Sequence, residues 1–153
     1  MTAADEMRTI ERAEAVGPAQ LRLGWSDGTE AEIDVAVWLD TPAFAALRDP
    51  AEFAKVTIGD WGHSLAWPGG VEAGADALWL ATLTATRREA ARAFLEWRQR
   101  NGLSLSAAAE ALGLSRRMVA YYSNGEKPIP KTVLLACRGW EAERRSKRLA
   151  TAR

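Results

Sequence analysis

Several kinds of chemistry are missing from these 153 residues. There is one cysteine, Cys137, so no internal disulfide can form, which suits a reducing cytoplasm. Cys137 lies in an apolar run and reads as a small core residue rather than a nucleophile. There is one histidine, His63, with neither a second histidine nor a cysteine pair at metal-ligand spacing. Beside Gly62 it reads as a surface turn residue. No segment approaches the roughly 18 unbroken apolar residues of a membrane span. Residues 1–16 carry acids and no apolar stretch, so no secretory signal is expected. The chain has no glycine-rich loop able to cradle a phosphate, and no internal repeat. Asp27, Asp34, Asp49 and Asp60 read as turn or strand-face acids, not as a pair placed for acid–base work. These absences point away from an enzyme, a bound cofactor or a metal site.

What is present is a charge asymmetry hidden by overall neutrality. Residues 1–86 hold 5 Lys+Arg against 14 Asp+Glu, a formal −9, and residues 87–153 hold 15 against 6, a formal +9. A basic half favours a polyanionic partner and salt-sensitive association. Two solvated surfaces that attract each other would explain the solubility but not the pattern found on the basic side.

The acidic half reads as a small α+β domain. Residues 1–17 look like a polar arm or frayed helix ending at Gly17-Pro18. Leu21, Leu23 and Trp25 alternate with Arg22 and Gly24, as in a half-buried strand. Ser26-Asp27-Gly28-Thr29 is a tight hairpin turn, and Ala31, Ile33 and Val35 lie on the return strand, with Val37 to Leu39 extending or bending it. Ala43 to Arg48 predicts a short helical turn stopped by Asp49-Pro50. A third strand is expected near Lys55 to Ile58 and a fourth over Ser64 to Trp67, ended by Pro68-Gly69-Gly70. Asp76 is placed to cap a short helix from Ala77 to Leu83. Seven tryptophans invite a pocket around Trp25, Trp38, Trp61 and Trp67, although packing is the preferred reading.

The basic half is helical. Thr86-Arg87-Arg88-Glu89 has the capping-box pattern, predicting a helix to Asn101-Gly102 with Ala90, Phe94 and Trp97 on one face. Ser104 caps the next helix, and Gly113 ends it where a left-handed backbone is needed. Ser115 then caps a second short helix that runs to Asn124-Gly125. Pro130 opens a last helix, with Val133, Leu134, Cys137 and Trp140 as its apolar face, and the tail from Glu141 is expected to fray. On the helix after Ser115, a projection at about 100° per residue gathers Met118, Val119 and Tyr122 on the core side. Arg116, Arg117, Ala120 and Tyr121 fall on the other. A helix opening on two arginines suits the DNA major groove, because arginine can donate two hydrogen bonds to the N7 and O6 of guanine. The Ser104, Ser106 and Ser115 hydroxyls suit backbone phosphates, and Asn124 and Lys127 suit the adjacent strand.

Two resemblances add to this reading. Leu103-Ser104 through Ala109-Glu110, Leu112-Gly113-Leu114-Ser115, Val119, and Asn124-Gly125 with Pro128 resemble a lambda-repressor-like (Cro/XRE-type) helix-turn-helix domain. The resemblance implies that Arg116, Arg117 and Tyr121 read bases while Ser115 and Asn124 meet phosphates. The family often has Gln where Leu105 stands, and an acid where Ser123 stands, paired with a base like Arg98; that ion pair cannot form here. In the acidic half, Asp27-Gly28 with Ile33-Asp34-Val35, Leu47-Arg48-Asp49-Pro50 with Phe53, Leu65-Ala66-Trp67-Pro68-Gly69-Gly70 and Asp76-Ala77-Leu78 resemble a small bacterial family of unknown function. That family usually has Asn-Gly after Trp-Pro, so Gly69 is a departure. The second resemblance implies a compact α+β fold, found alone or fused to helix-turn-helix domains. Some lone members look like the antitoxin half of a two-gene module.

The expected organisation is therefore a polar arm (1–17), a small α+β domain with an antiparallel sheet and a short helix (18–82), an all-α helix-turn-helix domain (83–145) and a basic tail (146–153). The expected function is a cytoplasmic, sequence-specific regulator that binds double-stranded DNA. Its N-terminal module would sense, dimerise or capture a protein partner. The alternative is an antitoxin-like protein that binds a small basic partner and autoregulates its operon. The expected DNA-binding residues are Ser104, Ser106, Ser115, Arg116, Arg117, Tyr121, Asn124 and Lys127.

Overall fold

The computed structural model describes residues 8–151. They divide into two compact units, one ending at Arg87 and the other beginning at Arg88. Among the described residues no helix is long and apolar enough to cross a membrane.

The first unit is built from two three-stranded antiparallel sheets and short helices. Strands β1 (Ile10–Gly17), β2 (Gln20–Trp25) and β3 (Glu30–Asp34) form one sheet in that order. A short helix α1 (Ala36–Leu39), a 3₁₀ turn (Pro42–Arg48) and a second short helix α2 (Pro50–Phe53) follow. Strands β4 (Thr57–Ile58), β5 (Ser64–Trp67) and β6 (Val71–Gly74) form the other sheet, and helix α3 (Ala75–Ala85) closes the unit.

The alternation read over β2 and β3 is present: Leu21, Leu23, Trp25, Ile33 and Val35 are all buried. The Asp-Gly turn joins them, with Gly28 at φ 89° and the Asp27 carboxylate accepting from the Thr29 N–H at 2.9 Å. Residues 10–17 are not an arm. They form β1, which pairs with β2 from Ile10 opposite Trp25 to Gly17 opposite Gln20. Two irregularities interrupt that register, between Ile10 and Arg12 and between Ala15 and Gly17. They break the period of two, and the half-buried Ala13 and Ala15 carry too little apolar surface to signal a strand. The segment read as a polar arm therefore contributes a strand from Ile10 on, while its residues 1–7 lie outside the described residues. Val37 to Leu39 bend away as α1 instead of extending β3. β6 is an additional strand, hidden in sequence by its length of four residues and two glycine-bounded ends.

Aromatic rings hold the unit together. Trp25 meets Trp79 edge-on at 5.1 Å, and its indole N–H donates to the buried Thr82 hydroxyl at 3.1 Å. The Thr82 hydroxyl in turn donates to the Leu78 carbonyl at 2.9 Å. The Arg8 guanidinium lies 3.7 Å over the Trp79 ring and pairs with Asp27. Trp67 stacks on Phe53 at 6.0 Å and donates its indole N–H to the Phe53 carbonyl. Gly62 packs so closely on β1 that a Cβ there would stand 2.7 Å from the Ile10 carbonyl oxygen. The residue before it, Trp61, is held at φ 59° and is 88 % exposed.

The second unit is all-α: α4 (Glu89–Arg100), α5 (Leu105–Leu112), α6 (Arg116–Asn124) and α7 (Lys131–Thr151). Thr86 does not open α4 as a capping box would. It caps the C-terminus of α3, donating its hydroxyl to the Thr82 carbonyl at 2.8 Å, and Arg87 turns the chain at φ 59°. The N-cap of α4 is Arg88, without a side-chain bond. The unit boundary is accordingly at 87/88, beyond the junction at 82/83 expected from sequence. The tail does not fray at Glu141. It continues helical to Thr151 because Arg100 grips Glu141 through two bonds of 3.0 and 2.7 Å, and Arg144 lies 5.0 Å over Trp140 one turn on. The expected basic tail is thus the last part of α7, with residues 152 and 153 outside the described residues.

Two outcomes follow from these contacts. Thr82→Val keeps the shape but leaves the Trp25 indole N–H buried without a partner, so denaturant unfolding should show a loss of about 1–3 kcal/mol. Burial pushes the Cys137 thiol from 9.0 up to about 11. Between those values the unfolded chain releases a proton that the folded chain keeps, so stability falls as pH rises from 9 to 11. Cys137→Ala should remove that component, measured as a smaller drop in unfolding midpoint between pH 8.5 and 10.5 than the parent shows (roughly the span of the shift).

Candidate nucleic-acid interface

The geometry of α5 and α6 is set by their ends. The Ser104 hydroxyl accepts from the Ala107 N–H at 3.0 Å, and the Ser115 hydroxyl accepts from the Met118 N–H at 3.1 Å. Each satisfies a backbone donor that the helix itself leaves unpaired. Gly113 takes φ 69° and the Leu114 N–H reaches back to the Ala109 carbonyl at 3.0 Å, closing α5. Open space surrounds a hypothetical Cβ on Gly113, so its backbone angle, not crowding, selects glycine there. Gly125 ends α6 the same way, with the Glu126 N–H bonded to the Tyr121 carbonyl at 3.0 Å. Only three residues, Gly113, Leu114 and Ser115, separate the two helices.

The inner side of α6 is fixed by packing. Val119 and Tyr122 join Phe94, Trp97, Ala108, Ala109 and Cys137 in one core, with Met118 half-buried against it. Phe94 meets Tyr122 edge-on at 5.8 Å and Trp97 at 5.7 Å. Ala120, read as outward-facing, is 1 % exposed, so the buried stripe on α6 is wider than the projection implied. A methyl group gives no preference of its own for either face, and the neighbours decide. Arg98 donates to the Ser123 hydroxyl at 2.7 Å, which itself donates to the Val119 carbonyl at 2.8 Å. Burial lowers the Arg98 pKa from its ordinary value, and its buried Nε has no hydrogen-bond partner among the described residues. A neutral hydroxyl thus stands where the resembled family often has a carboxylate.

The outer side carries the expected residues. Arg116 and Arg117 are exposed in the first turn of α6, and Ser104, Ser106, Ser115 and Lys127 are exposed around it. Tyr121 is half-buried. Its hydroxyl accepts from Arg117 Nε at 2.7 Å, and the Lys127 ammonium lies 4.5 Å over its ring. Arg117, Tyr121 and Lys127 therefore form one cluster. Asn124 is half-buried at the far end of α6, where its main-chain carbonyl accepts from Arg88 at 3.4 Å. Nothing in the sequence distinguishes Arg88 from Arg87 beside it or from the arginines of α4.

The tryptophans of the first unit do not line one pocket. A shallow cleft of about 260 Å³ is lined by Trp38, Thr41, Phe44, Glu72, Ala73, Gly74 and Ala77. Trp25 and Trp67 are core, and Trp61 points into solvent.

Comparison with known proteins accounts for both units. A family described as "Protein of unknown function (DUF2442)" matches residues 10–82, and a family described as "Helix-turn-helix" matches residues 95–137. The crystal structure of "Putative DNA Binding Protein NE0471" from Nitrosomonas europaea ATCC 19718 is 42% identical, with a TM-score of 0.66, over 90% of this chain and 89% of that one. The chain belongs to the same family as that protein, and its first unit is a DUF2442 unit. Its second unit is a helix-turn-helix module, as the three-residue link and paired serine caps had indicated. No curated protein matches the chain.

Within this module Ser123 carries a definite expectation. Ser123→Ala removes the acceptor of a part-buried guanidinium, a loss of about 1–3 kcal/mol that the better helix propensity of alanine offsets by only about 0.5 kcal/mol. Thermal unfolding should therefore move down by several degrees (about 4–8 °C per kcal/mol for a unit of this size).

Proposed function

We propose that this protein is a sequence-specific DNA-binding transcriptional regulator, with α6 entering the major groove. The observation that carries the reading is the pair Arg116 and Arg117, exposed on the first turn of a helix whose opposite side is locked into a core. A recognition helix contacts base edges with its N-terminal residues. Arginine is the side chain best suited to the two acceptors of guanine. The capping hydroxyls of Ser104 and Ser115 have accepted from backbone N–H groups, so their own protons remain for phosphate oxygens, and Ser106 and Asn124 lie on the same two helices. The likeness to a protein described as DNA-binding supports the same reading. A single module of this size offers little surface to a duplex, which favours a homodimer on half-sites about one helical turn apart. The role is binding, not catalysis, and is exercised in the cytoplasm.

The DUF2442 unit supplies dimerisation, sensing or partner capture in this proposal. Its acidic balance and the exposed Trp61 also favour the antitoxin-like alternative, in which it holds a small basic protein. A basic protein encoded next door and co-purifying with the full chain would select that alternative over a simple regulator.

Selection of bound sequences from a random DNA pool tests the proposal directly. Arg116→Ala and Arg117→Ala should each cost about 1–3 kcal/mol on the selected site and relax one base preference. Lys127→Ala should weaken all sequences alike and reduce the salt slope by about 1. Unchanged base preference in both arginine variants would remove α6 from the groove.

A further inference from the structure

The cluster on α6 has an order to it. Arg117 Nε donates to the Tyr121 hydroxyl at 2.7 Å, and the Arg117 guanidinium carbon lies 5.4 Å from the Tyr121 ring centroid. The two residues are four apart, one turn along α6, so the bond belongs to the helix itself and needs no DNA to form. A guanidinium has two forked edges with which to meet a pair of acceptors: Nε with one terminal nitrogen, or the two terminal nitrogens together. With Nε engaged by Tyr121, the first edge is closed and the second remains. Lys127, arriving from the loop after α6, lies over the same ring at 4.5 Å. It adds a weak, solvent-exposed contact to the ring, whereas the Arg117 bond within α6 is what orders the pair.

We propose that Tyr121 is a positioning residue, which fixes Arg117 so that its two terminal nitrogens together meet one guanine, and is not itself a reader of a base. This rests on α6 being the base-reading helix. Arginine is long and rotamer-rich, and a side chain ordered before binding loses less freedom on binding. Tyr121 therefore acts on specificity through Arg117. Its removal loosens the preference at the base pair Arg117 reads and leaves the electrostatic attraction to phosphates untouched.

The full chain, Tyr121→Phe, Arg117→Ala and the double variant are compared on the selected site and on its single-base-pair variants. Phenylalanine keeps the ring, and matching unfolding midpoints establish that the fold is kept. Tyr121→Phe should lower discrimination by about three- to tenfold, only at the pair that Arg117→Ala identifies. The double variant should be no worse there than Arg117→Ala, and the salt slope should stay as in the parent. A loss at a different base pair, or one that adds to that of Arg117→Ala, overturns the proposal and makes Tyr121 a direct contact. A second measurement needs no DNA. In the free protein the Arg117 Nε–H nitrogen-15 resonance should be protected from solvent exchange, and Tyr121→Phe should abolish that protection. Equal, rapid exchange in both overturns the positioning role while leaving the DNA reading intact. A parent protein that selects no sequence removes both.

Discussion

Burial of Val119 and Tyr122 against Phe94 is the constraint on which the helix-turn-helix module turns. Each fully buried side chain of this size contributes about 1.5–3 kcal/mol, whereas an exposed ion pair contributes at most about 1 kcal/mol. Packing therefore decides which side of α6 faces inward, and the charges occupy what is left. Arg116 and Arg117 face outward because the opposite stripe of the same nine-residue helix is anchored. The serine caps and left-handed glycines then fix the angle at which α6 leaves α5. A site on a helix with both ends closed is held more firmly than one on a loop.

The DUF2442 unit shows a different division of labour. Its rings are largely internal: Trp25 with Trp79, Phe53 with Trp67, and Phe44 between Trp38 and Trp67. Its acids are largely occupied by structure. Arg22 bridges Glu14 and Glu32 on neighbouring strands, and Asp27 and Asp49 accept from turn and helix N–H groups. Trp61 departs from this pattern. A tryptophan in the left-handed region costs about 1–2 kcal/mol that alternative backbones would avoid, and here the ring is turned toward water. Such a ring has the size and chemistry of an interface anchor.

Much of this was legible in sequence because it rests on local rules. Ser104, Gly113, Ser115 and Gly125 act through their own backbones, so the two helices of the motif could be read from spacing alone. Leu21, Leu23 and Trp25 were legible because one face of β2 is buried and the other is not. β1 was not, since alanines and register shifts blur its alternation. The run past Glu141 is charged enough to suggest fraying, and its start is tied down by contacts that sequence does not display, Glu141 with Arg100, 41 positions away, and Arg144 over Trp140. Thr86 reads as an N-cap from its spacing to Glu89, but its hydroxyl bonds back to the Thr82 carbonyl and the left-handed Arg87 separates it from α4. The candidate site followed the same division. Arg116 and Arg117 could be placed by periodicity, whereas the alliance of Arg117, Tyr121 and Lys127 depends on a loop whose path no local rule dictates.

The bond between Arg98 and the Ser123 hydroxyl has a consequence for how the module responds to salt. Dissolved ions weaken attraction between opposite charges, and they compete with any protein for a nucleic acid's phosphates. An internal tie ending on an uncharged oxygen is much less exposed to that competition. The packing around this bond is therefore less sensitive to ionic strength than any attraction between the surface of the module and phosphates.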